Sequence, residues 1–254
     1  MLAFVSDIHG NAEALNQVWA KIERQSVQGI YCLGDVIGYG PEPRECLLAV
    51  IERCEMAILG NHEQGALYYA SDFNPKARKA IDWTKAQLNA GERDENFRLW
   101  NYISDMPETY VFSAGGTRIL LAHGSPRDPV REYLMPPDGG DEMKMRGCFE
   151  KMGRAQLCLV GHSHVPGVFT QSGGFRSPAE FGGSFQLEDE KAIVNIGSVG
   201  QPRDGDPRAS YVCFDPEARV VHFYRVEYEV ERTMAKIRGT ELDEYLAQRL
   251  ASGR

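Results

Sequence analysis

The sequence predicts an α/β fold in which several parallel strands end at one shared edge. Three observations predict it. Short apolar runs alternate with amphipathic helical stretches through the first half, the pattern turns to β-hairpins after about residue 165, and five apolar runs are each followed by Asp, His or Asn with glycine alongside. Strand–helix alternation implies parallel strands joined by crossover helices. In open sheets of this kind, ligands bind outside the carboxyl ends of the strands.

The elements follow in order. "LAFV" (2–5) is a strand, and a helix beginning near Asn11 carries Leu15, Val18, Trp19 and Ile22 at helical spacing. "IYCL" (30–33) is the next strand, followed by the loop "GDVIGYGPEP" and a helix with Cys46, Leu47, Val50 and Ile51 on one face. The third strand, "AIL" (57–59), ends at "GNHE". Residues 63 to about 104 carry no strand signal and form two or three helices, a helical insert near the active site. Its aromatics Tyr68, Tyr69, Phe73, Trp83 and Trp100 are expected mostly to pack the insert's own core, with stacking on a base as the functional alternative. "ETYVFSAGGTRILLA" (108–122) is a hairpin turning at Gly115 and Gly116. A helical stretch around 140–154 leads to the strand "LCLV" (157–160). Hairpins then run through "VPGVFT", "SFQLEDEKAIVNIG", "ASYVCFD" and "RVVHFYRVEYEV", and one closing helix spans about Glu231 to Leu250. With no linker-like segment, residues 1–254 are expected to form a single domain.

Composition narrows the class. A formal net charge of −8 argues against non-specific nucleic-acid binding, which needs a basic footprint. No apolar stretch reaches transmembrane length, and "MLAFVSD" is too short for a signal-peptide core, so no membrane partner is expected. The six cysteines lack C-x-x-C spacing, and Cys32, Cys158 and Cys213 sit within strand-like runs. Buried, reduced thiols in the cytoplasm are the expectation.

The polar tips carry the chemistry. "SDIHGN", "GD", "GNHE", "HG" and "GHSH" would bring together Asp7, His9, Asp35, Asn61, His62, His123, His162 and His164. Five of the six histidines lie in this set, and only His222 lies elsewhere. Residues i and i+2 of an extended segment, such as His162 and His164, project to one side and can reach one centre. Neutral imidazole is the commonest metal ligand. Eight nitrogen and oxygen donors exceed what one four-coordinate ion takes and suit two ions sharing a carboxylate, held about 3.5–4 Å apart in two-metal hydrolytic sites. Mixed imidazole–carboxylate shells suit manganese, iron or zinc better than magnesium or calcium.

This ordered series of five motifs, from Asp7 to His164, resembles the calcineurin-like metallophosphoesterase superfamily, and "NIGSVGQPRDGDPRASY" resembles its small bacterial and archaeal phosphoesterase branch. The resemblance implies a four-layer α/β/β/α sandwich of two mixed sheets with a dimetal site at one edge. It implies that Asp7, His9 and His164 bind the first of two divalent transition-metal ions. Asn61, His123 and His162 bind the second, Asp35 bridges, and His62 serves in catalysis without binding metal. One departure stands out. Protein serine/threonine phosphatases of the superfamily carry G-D-x-x-D-R-G, whereas Gly38 and Tyr39 occupy the places of the Asp-Arg pair here. The aspartate that would orient His62 is missing, and Arg203 is the candidate to replace the phosphate-gripping arginine.

The expected function is hydrolysis of phosphomonoesters or phosphodiesters of small nucleotide-like character, by attack of a hydroxide held on the metal pair. Local field rather than net charge would draw the small anionic phosphate-ester substrate into an acidic protein. His62 would protonate the leaving oxygen. The alternative, a catalytically inactive metal-binding scaffold of the same fold, would be marked by lost ligands, and no metal position is missing.

Overall fold

A computed structural model describes residues 1–68, 70 and 73–254. Its elements run β1 (Leu2–Val5), α1 (Ala12–Ile22), β2 (Gly29–Cys32), α2 (Pro43–Arg53), β3 (Met56–Ala57), α3 (Asn61–Leu67), α4 (Pro75–Leu88), α5 (Arg93–Asp105), β4 (Thr109–Ala114) and β5 (Thr117–Ala122). The second half holds α6 (Glu142–Lys151), β6 (Leu157–Val160), β7 (Gly167–Thr170), β8 (Gly174–Arg176), β9 (Ser184–Gln186), β10 (Ala192–Asn195), β11 (Ala209–Asp215), β12 (Val220–Val226), α7 (Val230–Arg238) and α8 (Glu244–Ser252). Two mixed six-stranded sheets result, ordered β3-β2-β1-β11-β12-β9 and β4-β5-β6-β10-β7-β8. No helix among the described residues is long and apolar enough to cross a membrane.

Strand periodicity explains the layers. In β1, Leu2 and Phe4 face the second sheet, while Ala3 and Val5 face α1 and α2. In β6, Leu157 and Leu159 meet the first sheet, while Cys158 and Val160 meet Met145, Cys148 and Phe149 of α6. A strand covered on both faces has no polar side to show, hence the continuous apolar runs in the sequence. The arrangement is the expected four-layer α/β/β/α sandwich. In the first sheet β1, β2 and β3 run parallel, and in the second β5, β6 and β10 do. Those strands send their carboxyl ends to one edge of the sandwich.

Three sequence readings need correction. "SFQLEDEKAIVNIG" is no hairpin: β9 pairs antiparallel with β12, whereas β10 lies between β6 and β7 in the other sheet. The four fully buried residues of β10 require a central position with partners on both sides, which a two-stranded hairpin cannot give. The closing helix is two helices. Gly239 ends α7, Thr240 Oγ1 donates to the Ile237 carbonyl at 2.6 Å, and Asp243 caps α8 by accepting from the Tyr245 amide at 2.9 Å. Glycine and a capping aspartate are stop and start signals that outweigh apolar periodicity. The third strand is also shorter than expected, because the Leu59 amide leaves β2 and donates to the Pro107 carbonyl at 2.8 Å.

Within the insert, Trp83 packs beside α7 and α8, and Trp100 packs on the core under α1 and α2 while its Nε1 donates to Asn89. Tyr68 is exposed, and Tyr69 lies outside the described residues. Phe73 alone of the four described aromatics meets the candidate site, its ring 5.3 Å from that of His62.

Candidate metal centre

The loops after β1, β2, β3, β5 and β6 bring all eight predicted polar residues together. Among the described residues seven non-glycines have φ in the left-handed region, and six of them (Asp7, His9, Asp35, Tyr39, His162 and His164) belong to this site. Such backbone is costly and persists where surrounding structure fixes it, typically at functional sites. Hydrogen bonds between these loops, one of them across the two sheets, supply that fixing. The His162 amide donates to Asp7 Oδ2 at 3.0 Å, and the His62 amide donates to Asp35 Oδ1 at 2.9 Å. Each aspartate therefore has one oxygen tied to backbone and the other turned to the centre.

Four imidazoles are oriented the same way. His9 Nδ1 donates to the Ile37 carbonyl (3.1 Å), His123 Nδ1 to Leu33 (2.8 Å), His164 Nδ1 to Gln201 (2.5 Å) and His162 Nε2 to Arg131 (3.0 Å). A ring nitrogen that donates outward leaves the other nitrogen's lone pair facing inward, the usual outer support of a metal-binding histidine. The inward nitrogens are close: His9 Nε2 lies 3.2 Å from His164 Nε2, and His123 Nε2 lies 3.1 Å from His162 Nδ1. In the neutral rings of His9 and His164 no proton stands between the two inward lone pairs, so that pair repels itself unless a cation lies beside it.

The donors fall into two sets. Asp7 Oδ1, buried and without a hydrogen-bond partner, is 3.1 Å from His164 Nε2 and 3.8 Å from His9 Nε2. Asn61 Oδ1 is 3.1 Å from His123 Nε2. Asp35 Oδ2 sits between the sets, 3.7 Å from His9 and 3.4 Å from His123. The groups Asp7–His9–His164 and Asp35–His123–His162 each converge closely enough to hold an ion. His62 joins His9 and Asp35 in a third convergent group, its Nε2 4.0 Å from Asp35 Oδ2.

Burial and neighbours set the protonation of these groups without metal. Burial holds His62 down to about 4 and His162 down to about 3, and lowers His9 and His164 as well. His123 is the exception: burial works against its charge, but Asp35 outweighs it and raises the ring to about 9. Both aspartates are held well below the usual carboxylate range, because the surrounding imidazoles overcome their burial.

The structure also answers the question left by the missing orienter of His62. Gly38, at φ +86°, lies against the ring, and a Cβ there would come 2.1 Å from His62 Nδ1. No side chain fits, let alone an aspartate. Nδ1 is buried without a hydrogen-bond partner, and the ring is held by packing instead, with the rings of Tyr39 at 4.4 Å, His9 at 4.8 Å and Phe73 at 5.3 Å. Arg203 stands at the rim. Its Nη2 donates to Gln201 Oε1 at 2.8 Å, its Nε is buried without a partner, and its Cζ lies 6.0 Å from the Tyr39 ring centre. His222 is remote, bonded to Ser184.

Beside Asn61 and His162 opens a cavity of about 270 Å³, walled also by Tyr39, Phe73, Tyr133 and Arg131. Sequence reading missed several residues here. Tyr133 stacks on His162 at 3.7 Å, and no motif marked it. Asn195 ties "GHSH" down, donating to the Gly161 carbonyl at 2.6 Å and Ser163 Oγ at 2.9 Å; its place at a strand's carboxyl end was the available signal. Glu63, in plain view in "GNHE", is fully buried and accepts from the amides of Asp35, Val36, Ile37 and Gly60 at 2.8–3.1 Å.

Residues 1–219 match the family model described as calcineurin-like phosphoesterase superfamily domain. The chain belongs to that superfamily. This phosphoesterase is 36% identical, over its whole length and 98% of the relative's, to an uncharacterized protein of Methanocaldococcus jannaschii. Its structure is similar to that of a metallophosphoesterase from Sphaerobacter thermophilus (34% identity, TM-score 0.79, covering 100% of this chain and 98% of that one). A hypothetical protein from Pyrococcus horikoshii shares the fold at 22% identity (TM-score 0.78, with the same coverage). The family acts on phosphate esters with divalent metal, and this phosphoesterase has buried His/Asp clusters able to bind it.

Proposed function

We propose that this phosphoesterase hydrolyses small phosphomonoesters or phosphodiesters of nucleotide-like character at a pair of divalent transition-metal ions, manganese, iron or zinc. The observation that carries the reading is the pair of buried donor sets joined by Asp35, with the inward lone pairs of His9 and His164 facing each other at 3.2 Å. Asp7, His9 and His164 would hold one ion, Asn61, His123 and His162 the other, and Asp35 both. When bound, the ions supply positive charge that polarises a phosphoryl group and makes water a stronger acid.

The chain's own residues do the rest. The cavity beside Asn61 and His162 takes the organic part of the substrate between aromatic walls. Arg203 binds a phosphate oxygen through its fork of N–H donors, its unpartnered Nε among them. His62, next to the bridging carboxylate, gives a proton to the leaving oxygen. Burial first, then the charges of Arg203 and His123, keep that ring neutral against the pull of Asp35, and a phosphate anion in the cavity opposes this effect and favours the protonated ring. The free thiols, most of them buried, suit a reducing cytoplasm.

The test is a screen of phosphomonoesters and of cyclic and linear diesters with protein loaded separately with manganese, iron and zinc, alongside metal analysis. Metal-dependent turnover is the expected result. Absence of turnover with every metal and substrate class defeats the proposal. Arg203→Ala should weaken substrate use while metal content stays intact, and Arg203→Lys should restore only part of it, lacking the planar fork.

A further inference from the structure

Of the six left-handed residues at the centre, five are proposed ligands and the sixth, Tyr39 at φ +64°, is not. For a bulky side chain this conformation is an outlier that persists only where the surroundings over-determine it. The surroundings of Tyr39 do so from two sides. The Glu42 amide donates to the Gly10 carbonyl at 2.9 Å, and Gly40 passes so near that a Cβ on it would lie 2.0 Å from the His9 carbonyl oxygen. The Tyr39 loop is thereby strapped to the loop of His9.

Behind the strap stand the last two helices. Met234 and Ile237 of α7 form one cluster with Leu246, Ala247 and Leu250 of α8, and Tyr39 packs against it. Lys236 of α7 reaches Glu42 at 2.5 Å and Glu13 at 2.8 Å, and the Gly253 carbonyl at the end of α8 accepts from the Gly205 amide at 2.9 Å. Where His9 and Tyr39 face Ile237, Leu246 and Leu250, the space left is about 10 Å³, too small for more than one water. Packing this close leaves no slack, so a shift of α8 passes to Tyr39.

On its other side Tyr39 meets His62, with ring centres 4.4 Å apart and planes at 64°. His62 Nδ1 has no hydrogen-bond partner, and Gly38 leaves no room for a side chain that could supply one. Ring contact must then fix the imidazole's torsions, which no hydrogen bond at Nδ1 restrains. We infer that α7 and α8 position His62 through Tyr39. The helix pair sets the Tyr39 ring, and that ring holds the imidazole where it can reach the leaving oxygen. Tyr39 is a positioning residue; the proton comes from His62. The inference rests on the role proposed above for His62 and adds a remote determinant of it.

The test reads the imidazole directly. Proton–carbon NMR of protein with isotope-labelled histidines, recorded with zinc and again after chelation, gives a His62 Cε1–H signal that His62→Gln identifies by its loss. Ring currents of Tyr39 and Phe73 displace that signal. Tyr39→Leu should move it toward ordinary histidine positions, and Leu250→Ala, which opens space behind Tyr39, should move it the same way by less. Leu250→Met, of similar volume, should restore it and guards against a folding artefact. Turnover gives a second reading, because an alkyl leaving group needs the proton and a nitrophenyl group does not. The alkyl-to-nitrophenyl rate ratio should fall roughly tenfold in Tyr39→Leu and about threefold in Leu250→Ala. Tyr39→Phe, which keeps the ring, should recover most of the loss. Met152→Ala empties a buried position beside α6, on the opposite outer layer, and should lower Tm without moving either reading. A His62 signal unmoved in Tyr39→Leu or Leu250→Ala, an unchanged ester ratio in active Tyr39→Leu, or equal effects from Met152→Ala overturn the inference. Wild-type protein that hydrolyses no ester defeats the proposed function instead and leaves the histidine signal readable.

Discussion

Replacing Glu63 with Gln should loosen the whole centre although Glu63 touches none of the proposed ions. One carboxylate oxygen accepts from the amides of Val36 (2.8 Å) and Ile37 (3.1 Å), and the other from those of Asp35 (2.8 Å) and Gly60 (3.1 Å). Glutamine keeps one oxygen and turns an NH2 group toward two N–H donors. Two buried donors then lose their acceptor, at about 1–3 kcal/mol each. The central expectation is about 4 kcal/mol, or roughly 8–16 °C in Tm at about 2–4 °C per kcal/mol for a chain near this size. An opposing effect exists: burial and the neighbouring Asp35 raise Glu63 to about 7, so in metal-free protein its charge is itself unfavourable. Bound cations would cancel that term, so the loss should be larger in metal-loaded than in chelated protein. Because the clamped amides belong to Asp35 and to Gly60, beside Asn61, metal retention should fall too. Glu63→Asp, one methylene shorter, should not span both pairs. Thermal melts with and without metal, together with metal analysis after gel filtration, are the assay. A Tm within about 2 °C of wild type and full metal retention would refute the clamp.

Further outcomes follow from the same geometry. Asp35→Asn should weaken both metal positions together, whereas His9→Ala should mainly empty one; wild-type protein that never holds more than one transition-metal ion per chain, in metal-containing buffer, sinks the two-ion model. His62→Gln should keep metal but lose about 10²–10⁴ in rate on an alkyl or nucleotide ester, and much less on a nitrophenyl ester whose leaving group needs no proton; equal losses in single turnover would exclude proton donation. For metal-free protein, His9, His62, His162 and His164 all titrate below the ordinary 6.5, so the unfolded chain takes up protons that the folded chain refuses. Their stabilisation is therefore present above about 6.5 and lost as pH falls, through about 4 for His62 and about 3 for His162, while His123, raised to about 9, contributes below 6.5 and loses its share as pH rises through 9. Melting temperature followed from pH 7 to pH 4 should fall steadily; a flat profile would contradict the buried neutral rings.

The sequence by itself determined the layered α/β plan and the membership of the site. Both are written in local patterns: a strand covered on both faces must be apolar throughout, and a residue next to a strand's carboxyl end goes where the strand sends it. Asp7, His9, Asp35, Asn61, His62, His123, His162 and His164 were therefore legible together. Tertiary structure alone decided what has no local signature. Whether β9 and β10 pair with each other or part between sheets depends on partners more than 30 residues away, Val220–His222 for β9 and Leu157–Val160 for β10. That Gly38 leaves His62 to be held by rings depends on two backbones meeting, and that Tyr133 covers His162 depends on a loop with no motif.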